Sequence, residues 1–186
     1  SLVIAEGGRY RNRFLWATPD GGLEHYDKRH CFRMAGEHDH YAPGERRVVL
    51  TWRGWRICPQ VCYDLRFPVF SRNRGDYDLL VYVANWPAAR LDQWQALLRA
   101  RAVENLSHVV GVNRVGTDGN EVAYAGGSAA YDYAGRPLIE AGDLDTDLRV
   151  TLDGEGLEAY RAAFPAHLDA DAFTLDTSMT AAQRGE

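Results

Sequence analysis

Cys62 closes the stretch Arg56–Val61 and is followed by the polar, turning sequence Tyr63-Asp64-Leu65-Arg66. The carboxyl end of a strand is where α/β proteins present reactive side chains, because backbone N–H groups there are free to bind a developing oxyanion. A cysteine in that place is a candidate nucleophile, whose thiolate would attack an electrophilic carbon. The competing reading is that free cysteine is a small hydrophobe that usually packs in the interior. Two further charged residues draw attention. Lys28 lies in Tyr26-Asp27-Lys28-Arg29-His30 after a strand-like stretch, and Glu37 in Gly36-Glu37-His38-Asp39-His40-Tyr41. Read locally, the first is a solvated turn and the second a loop.

Four histidines, His25, His30, His38 and His40, fall close together and raise a metal site with Cys31, Cys58 or Cys62 as thiolate partners. Neither the H-x-H at His38 and His40 nor the C-x3-C at Cys58 and Cys62 repeats as paired knuckles would. On an extended strand the two cysteines would share a face about 13 Å apart, too far for one ion or for a disulfide. The expectation from spacing is therefore no metal, with the histidines in a polar loop.

The elements that must position these residues alternate in character. Leu2–Ala5 and Arg13–Ala17 read as strands, and Thr18-Pro19-Asp20-Gly21-Gly22 as a turn. Val48–Trp52 and Trp55–Cys62, joined through Arg53-Gly54, read as a hairpin. Phe67–Asn73 reads as a short helix, and Tyr77–Ala84 as a strand covered on both faces, since its apolar run is nearly continuous. Trp94, Leu97, Leu98, Ala102 and Val103 recur at three- and four-residue steps, which predicts an amphipathic helix over Leu91–Asn105. Val109–Val112 and Leu148–Leu152 read as strands, Ser128–Tyr133 leads into a turn at Ala134–Pro137, and Gly156–Phe164 reads as a last helix. The economical assignment is one α/β or α+β domain with layered sheets over residues 1–175 and a loose polar tail over 176–186.

Composition supports that frame. The chain has 186 residues, 46% hydrophobic and 25% charged, enough to bury a core without staples. A net charge of −5 without basic runs argues against nucleic acid and anionic membrane as partners. No apolar run approaches the roughly 18 residues of a membrane helix. Three cysteines, an odd number, suit a reducing compartment, and a cytoplasmic location is expected.

The ordered blocks YDKRH (Tyr26–His30), E-x-x-x-Y-x-x-G (Glu37, Tyr41, Gly44), WRGWRICPQVCYDLRFP (Trp52–Pro68), YDLLVYVANWPAAR (Tyr77–Arg90), WQALLRARAVEN (Trp94–Asn105), NRVGTDGN and GGSAAYDYAGRPL resemble the nitrilase, or carbon–nitrogen hydrolase, superfamily, and within it the omega-amidases. The resemblance runs from Ser1 to about Leu175. It implies an α-β-β-α sandwich and cleavage of a small amide, with release of ammonia through a cysteine thioester. The implied substrate is a 2-oxo acid ω-amide such as 2-oxoglutaramate; alternatives are another amidase, a carbamoylase or a nitrilase, or a non-catalytic pocket module.

The same resemblance assigns Cys62 as nucleophile, Lys28 as catalytic lysine and Glu37 as the glutamate that positions it. Tyr63 would supply an oxyanion N–H, Asn85 and Trp86 a pocket wall, and Arg66, Tyr41 and Ser128 nearby substrate contacts. It implies a homo-oligomer and no cofactor. The family's general base, a glutamate ahead of the opening hairpin, is not matched by Glu6 or Glu24, so the chain is expected to correspond to the carboxyl-terminal two-thirds of such an enzyme. An exposed apolar surface is expected where the remaining layer would pack.

Overall fold

The computed structural model describes residues 1–175, so the tail expected over 176–186 lies outside the described residues. The chain opens with an antiparallel meander of β1 (Leu2–Glu6), β2 (Arg9–Ala17) and β3 (Leu23–Asp27). A single helical turn, α1 (Glu37–His40), sits in the long connection that follows, where a loop was expected around Glu37.

The expected hairpin forms as β4 (Leu50–Trp52) and β5 (Trp55–Val61), with Val48 and Val49 outside the ladder. Its turn residues Arg53 and Gly54 both take positive φ, 49° and 84°, as the twist of a two-residue hairpin loop demands. A tight 3₁₀ turn over Cys62–Arg66 leads into α2 (Pro68–Ser71), a shorter helix than the expected Phe67–Asn73. Next come β6 (Leu79–Ala84), α3 (Leu91–Asn105) and β7 (His108–Asn113), a parallel strand-helix-strand unit. The small hairpin β8 (Val115–Thr117) and β9 (Ala123–Ala125) precedes β10 (Ala129–Tyr131) and β11 (Pro137–Glu140). The helix α4 (Gly154–Ala163) is capped by Asp153, whose side chain accepts the Gly156 N–H. The expected strand over Leu148–Leu152 does not form; the segment has no regular secondary structure, is mostly exposed and has no partner strand among the described residues, although Leu152 packs beside Leu50 and Ile57.

The large sheet has the order β11-β10-β7-β6-β5-β4, with β5, β6 and β7 parallel at its centre. Strand alternation sends Ile57, Val61, Leu79, Val81 and Val83 to one face, where they pack under Phe14, Trp16 and Tyr26 of the small sheet. Cys58, Leu80, Tyr82 and Val109 point the other way, onto Trp94, Leu98 and Ala102 of α3. Both faces of β6 are thus covered, as its apolar run predicts. The approach of α3 is close: a Cβ on Gly111 would lie 2.4 Å from a Leu98 methyl and 2.8 Å from the Trp94 ring. Two face-packed sheets with a helical layer give the sandwich architecture of the expected class. The opposite face of the small sheet carries the Glu6, Arg11, Arg13 and Asp27 ion cluster and the exposed Leu2, Leu15 and Leu23.

Candidate active site

Three parallel strands end side by side, with Val61, Val83 and Val112 in register. Each chain then leaves the sheet at a residue or pair that matters: Cys62 after β5, Asn85-Trp86 after β6 and Asn113-Arg114 at the end of β7. This is the crevice at the carboxyl ends of parallel strands, where α/β folds gather their reactive groups.

Cys62 sits at a strained corner. Its φ is +49°, a left-handed conformation that costs a non-glycine residue about 1–3 kcal/mol and persists only where the surroundings enforce it. The corner turns the chain from extended β5 into the 3₁₀ turn and leaves the thiol partly accessible, donating to the Asn85 carbonyl at 3.8 Å. Cys58, four residues earlier, is fully buried in the core and faces α3. The two are both free thiols in unlike settings.

Burial pushes the Cys62 thiol up, the Lys28 ammonium and the Asn85 carbonyl contact draw it down, and the charges of Glu37 and Asp64 push it up again, leaving it above its ordinary value. A proton acceptor is therefore needed to make the thiolate near neutrality.

Lys28 is 4% exposed, and the solvated turn read from its charged neighbours does not exist. Its N–H donates to the Asn12 carbonyl at 2.9 Å, its carbonyl accepts the Gly44 N–H at 2.8 Å, and its ammonium meets Glu37 Oε2 at 2.5 Å. Gly44 is required there: a Cβ would stand 2.1 Å from the Asp27 carbonyl oxygen. Glu37 also accepts the Phe32 N–H at 2.6 Å and the Asn12 amide at 3.3 Å. With these donors already on its carboxylate, Glu37 is built to hold the lysine.

The remaining expected residues divide. Tyr63 stands beside the cysteine, its ring packed against Phe32 and Phe67 at 4.9 and 5.1 Å between centroids. Arg66 lies over the Trp86 ring at 5.0 Å, hydrogen-bonds Gln93, and has no carboxylate partner among the described residues. Asn85 is exposed and offers its carbonyl to the thiol. Trp86 is 3% exposed, with its ring against Trp94 in the core, so its backbone edges the site and its indole supports it from below. Ser128 is one step removed: its hydroxyl accepts the Asn113 N–H and donates to the Asn113 carbonyl. Tyr41 lies with Val3, Tyr10 and His40 in a separate shallow cleft at the edge of the small sheet.

Sequence reading passed over Asp64, Tyr26, His30 as a framework group, and Asn113. Asn113 accepts the Trp86 N–H at 2.7 Å and donates to the Trp86 and Gly126 carbonyls at 3.0 and 2.7 Å, fixing the loop behind Asn85. Asp64 has a legible signal, an acidic residue at the third position of a helical turn, able to reach back to the N–H before the turn. His30, weighed as a metal ligand, bonds Asp64 instead and stacks on Phe67 at 3.9 Å. No group of three or more His, Cys, Asp or Glu among the described residues is arranged to hold a metal ion. No described helix is long and apolar enough to cross a membrane.

The chain is similar in sequence and fold to known proteins. The chain is 56% identical over 169 residues to the omega-amidase YafV of Yersinia enterocolitica, covering 88% of this chain and 64% of that one. It is 30% identical over 172 residues to a 2-oxoglutaramate amidase of Bacillus subtilis, covering 91% and 66%. The chain thus spans less than two thirds of the length of these relatives. Its fold superposes with a TM-score of 0.92 and 51% identity on XC1258 of Xanthomonas campestris, a CN-hydrolase superfamily protein crystallised with an arsenic adduct in its active site, covering 94% of this chain and 69% of that one. A sequence model of carbon–nitrogen hydrolases matches residues 2–162, and with that match the chain belongs to the carbon–nitrogen hydrolase family.

Proposed function

We propose that this chain carries the nucleophile and the oxyanion side of an omega-amidase acting on small 2-oxo acid amides of the 2-oxoglutaramate type. The observation that carries the reading is Cys62 at its left-handed corner, with its thiol drawn down by the charge of Lys28, which is itself anchored by Glu37. The Cys62 sulfur adds to the amide carbonyl. Lys28 and the Tyr63 N–H receive the oxyanion, and each such donor is worth roughly 2.7–4 kcal/mol in comparable acyl-transfer sites. The carbon–nitrogen bond then breaks, the thiol proton leaves with the nitrogen as ammonia, and a thioester remains on Cys62. Water cleaves the thioester to the free acid. The general-base carboxylate that both proton transfers require is not Glu37, whose oxygens are engaged.

Arg66, a cation without an acidic partner among the described residues, supports a substrate bearing a carboxylate away from the amide. The names of the similar amidases support the same choice. The reading includes a cytoplasmic location, supported by the odd number of cysteines, and a homo-oligomer, supported by the family resemblance. Ammonia release from 2-oxoglutaramate, compared with nitriles and carbamoyl amines, tests the substrate class, and intact mass during turnover should show an acyl group on Cys62. Turnover persisting in Cys62→Ala would overturn the assignment.

A further inference from the structure

Asp64 has no exposed surface, yet four donors converge on its carboxylate. Oδ2 accepts the Val61 N–H at 3.0 Å and the Tyr26 hydroxyl at 2.9 Å. Oδ1 accepts the His30 N–H at 2.9 Å and the His30 ring at Nδ1, 2.8 Å away. Val61 immediately precedes the nucleophile. Tyr26 and His30 bracket Lys28, two residues before it and two after. Tyr26 closes the bracket by accepting the Arg29 N–H at 3.1 Å. The His30 ring is fixed in turn by stacking on Phe67 and by its edge contact with Phe70, just past the nucleophile's turn.

One buried carboxylate therefore ties the backbone of the cysteine's corner to both flanks of the lysine, across 34 to 38 residues of sequence. The left-handed corner at Cys62 must be enforced by its surroundings, and this carboxylate holds the N–H immediately before it. We propose that Asp64, acting with His30, is a positioning residue that holds Cys62 and Lys28 in one frame. The inference rests on Cys62 as the nucleophile, and it is tested without any amide substrate.

The groups whose charge acts on Cys62 are Lys28, which draws the thiol down, and Glu37 and Asp64, which push it up. From the neighbouring hairpin, Tyr124 is near enough to feel the thiolate; its hydroxyl donates to Asp118, and Arg114 lies over its ring. Asp64 thus opposes the thiolate by charge while favouring it by position, and the two effects have opposite signs in a variant. Loss of the Asp64 charge alone moves the reactivity profile of Cys62 to lower pH. Loss of the frame frees Lys28 and moves it to higher pH.

The experiment is the rate of Cys62 alkylation by iodoacetamide as a function of pH, with thermal unfolding measured on the same samples. In His30→Ala the profile should move about one pH unit upward, so that the rate near neutrality falls roughly tenfold. His30→Asn, which keeps a nitrogen donor near the Nδ1 position, should recover most of the loss. Asp64→Asn sets an amide N–H₂ against donors on one side and should also move the profile upward, towards that of Lys28→Met. A scaffold role alone would lower the melting temperature and leave the profiles superimposed. Superimposed profiles for His30→Ala and the parent overturn the proposal, as does a downward move in a folded Asp64→Asn. If Asp64→Asn does not fold, the two His30 variants decide. Absence of ammonia release by the full-length protein, with the profiles still shifted, would count against the amidase reading and leave the frame standing.

Discussion

Lys28 Nζ lies 2.5 Å from Glu37 Oε2, and the two side chains are only 5% and 12% exposed. Removing one partner of a buried pair strands the other charge, which costs about 3–5 kcal/mol. Glu37→Gln should therefore destabilise the protein by an amount in that range in a urea titration. Lys28→Met should cost less, because Glu37 keeps the Phe32 and Asn12 donors. The same two variants should move Cys62 alkylation in opposite directions. Glu37 pushes the thiol up and Lys28 draws it down, so the profile shifts to lower pH in Glu37→Gln and to higher pH in Lys28→Met. Equal stability and equal profiles in both variants would mean that the pair does not act on the cysteine.

Gly44→Ala tests the backbone rather than the charge. The added methyl would stand 2.1 Å from the Asp27 carbonyl oxygen, and Gly44 bonds the Lys28 carbonyl, so the strand end carrying Lys28 must shift. Overpacking of this kind costs about 1–3 kcal/mol. Gly119→Ala, at a position with open space around it, is the control and should unfold with the parent. A Gly44→Ala midpoint matching that control would show that the loop gives way freely.

Asn113 offers a test of the loop behind Asn85. Its amide nitrogen faces two carbonyls, so Asn113→Asp would set a carboxylate oxygen against both, whereas Asn113→Ala only leaves them unbonded. Each stranded buried group costs about 1–3 kcal/mol, and the repulsion in Asn113→Asp adds to that. The aspartate variant should thus be the less stable of the two by chemical denaturation. The reverse order would place solvent at this amide.

Much of the frame was legible because local pattern and tertiary setting agree. The apolar run of Tyr77–Ala84 became the doubly covered β6, and the steps Trp94, Leu98 and Ala102 became the buried face of α3. Where a property depends on a distant partner, pattern failed. Leu148–Leu152 alternates as a strand does, yet no described strand edge meets it. Lys28 looked solvated among charged neighbours because its burial comes from Gly44 and Glu37, which the local sequence does not contain. The packing of the Trp86 ring against Trp94 likewise depends on a partner from α3 that the residues around Trp86 do not announce. Asp64 stood in plain view beside Cys62, but its donors Tyr26 and His30 meet it only once the two sheets are packed.

Cys58 sets an alkaline limit on stability. Burial pushes its thiol up to about 12 from 9.0, with the nearby Arg47 charge only partly offsetting this. Because the folded state holds this proton more tightly than the unfolded chain, the contribution is complete below about pH 9 and is lost as pH rises towards 12. At about 1.4 kcal/mol per unit, the shift bounds the loss at roughly 4 kcal/mol. Tyr26 and Tyr77, also pushed up by burial, act in the same direction. Urea midpoints should therefore fall with pH above about 9 in the parent. In Cys58→Ala the fall should be shallower, although that variant starts from lower stability because a buried sulfur is missing. Labelling supplies the companion measurement. Over the same range Cys62 should react in the native protein while Cys58, closed to solvent on the face under α3, reacts only on unfolding. Equal slopes for parent and Cys58→Ala, or native labelling of Cys58, would show that this thiol is not sealed in the core.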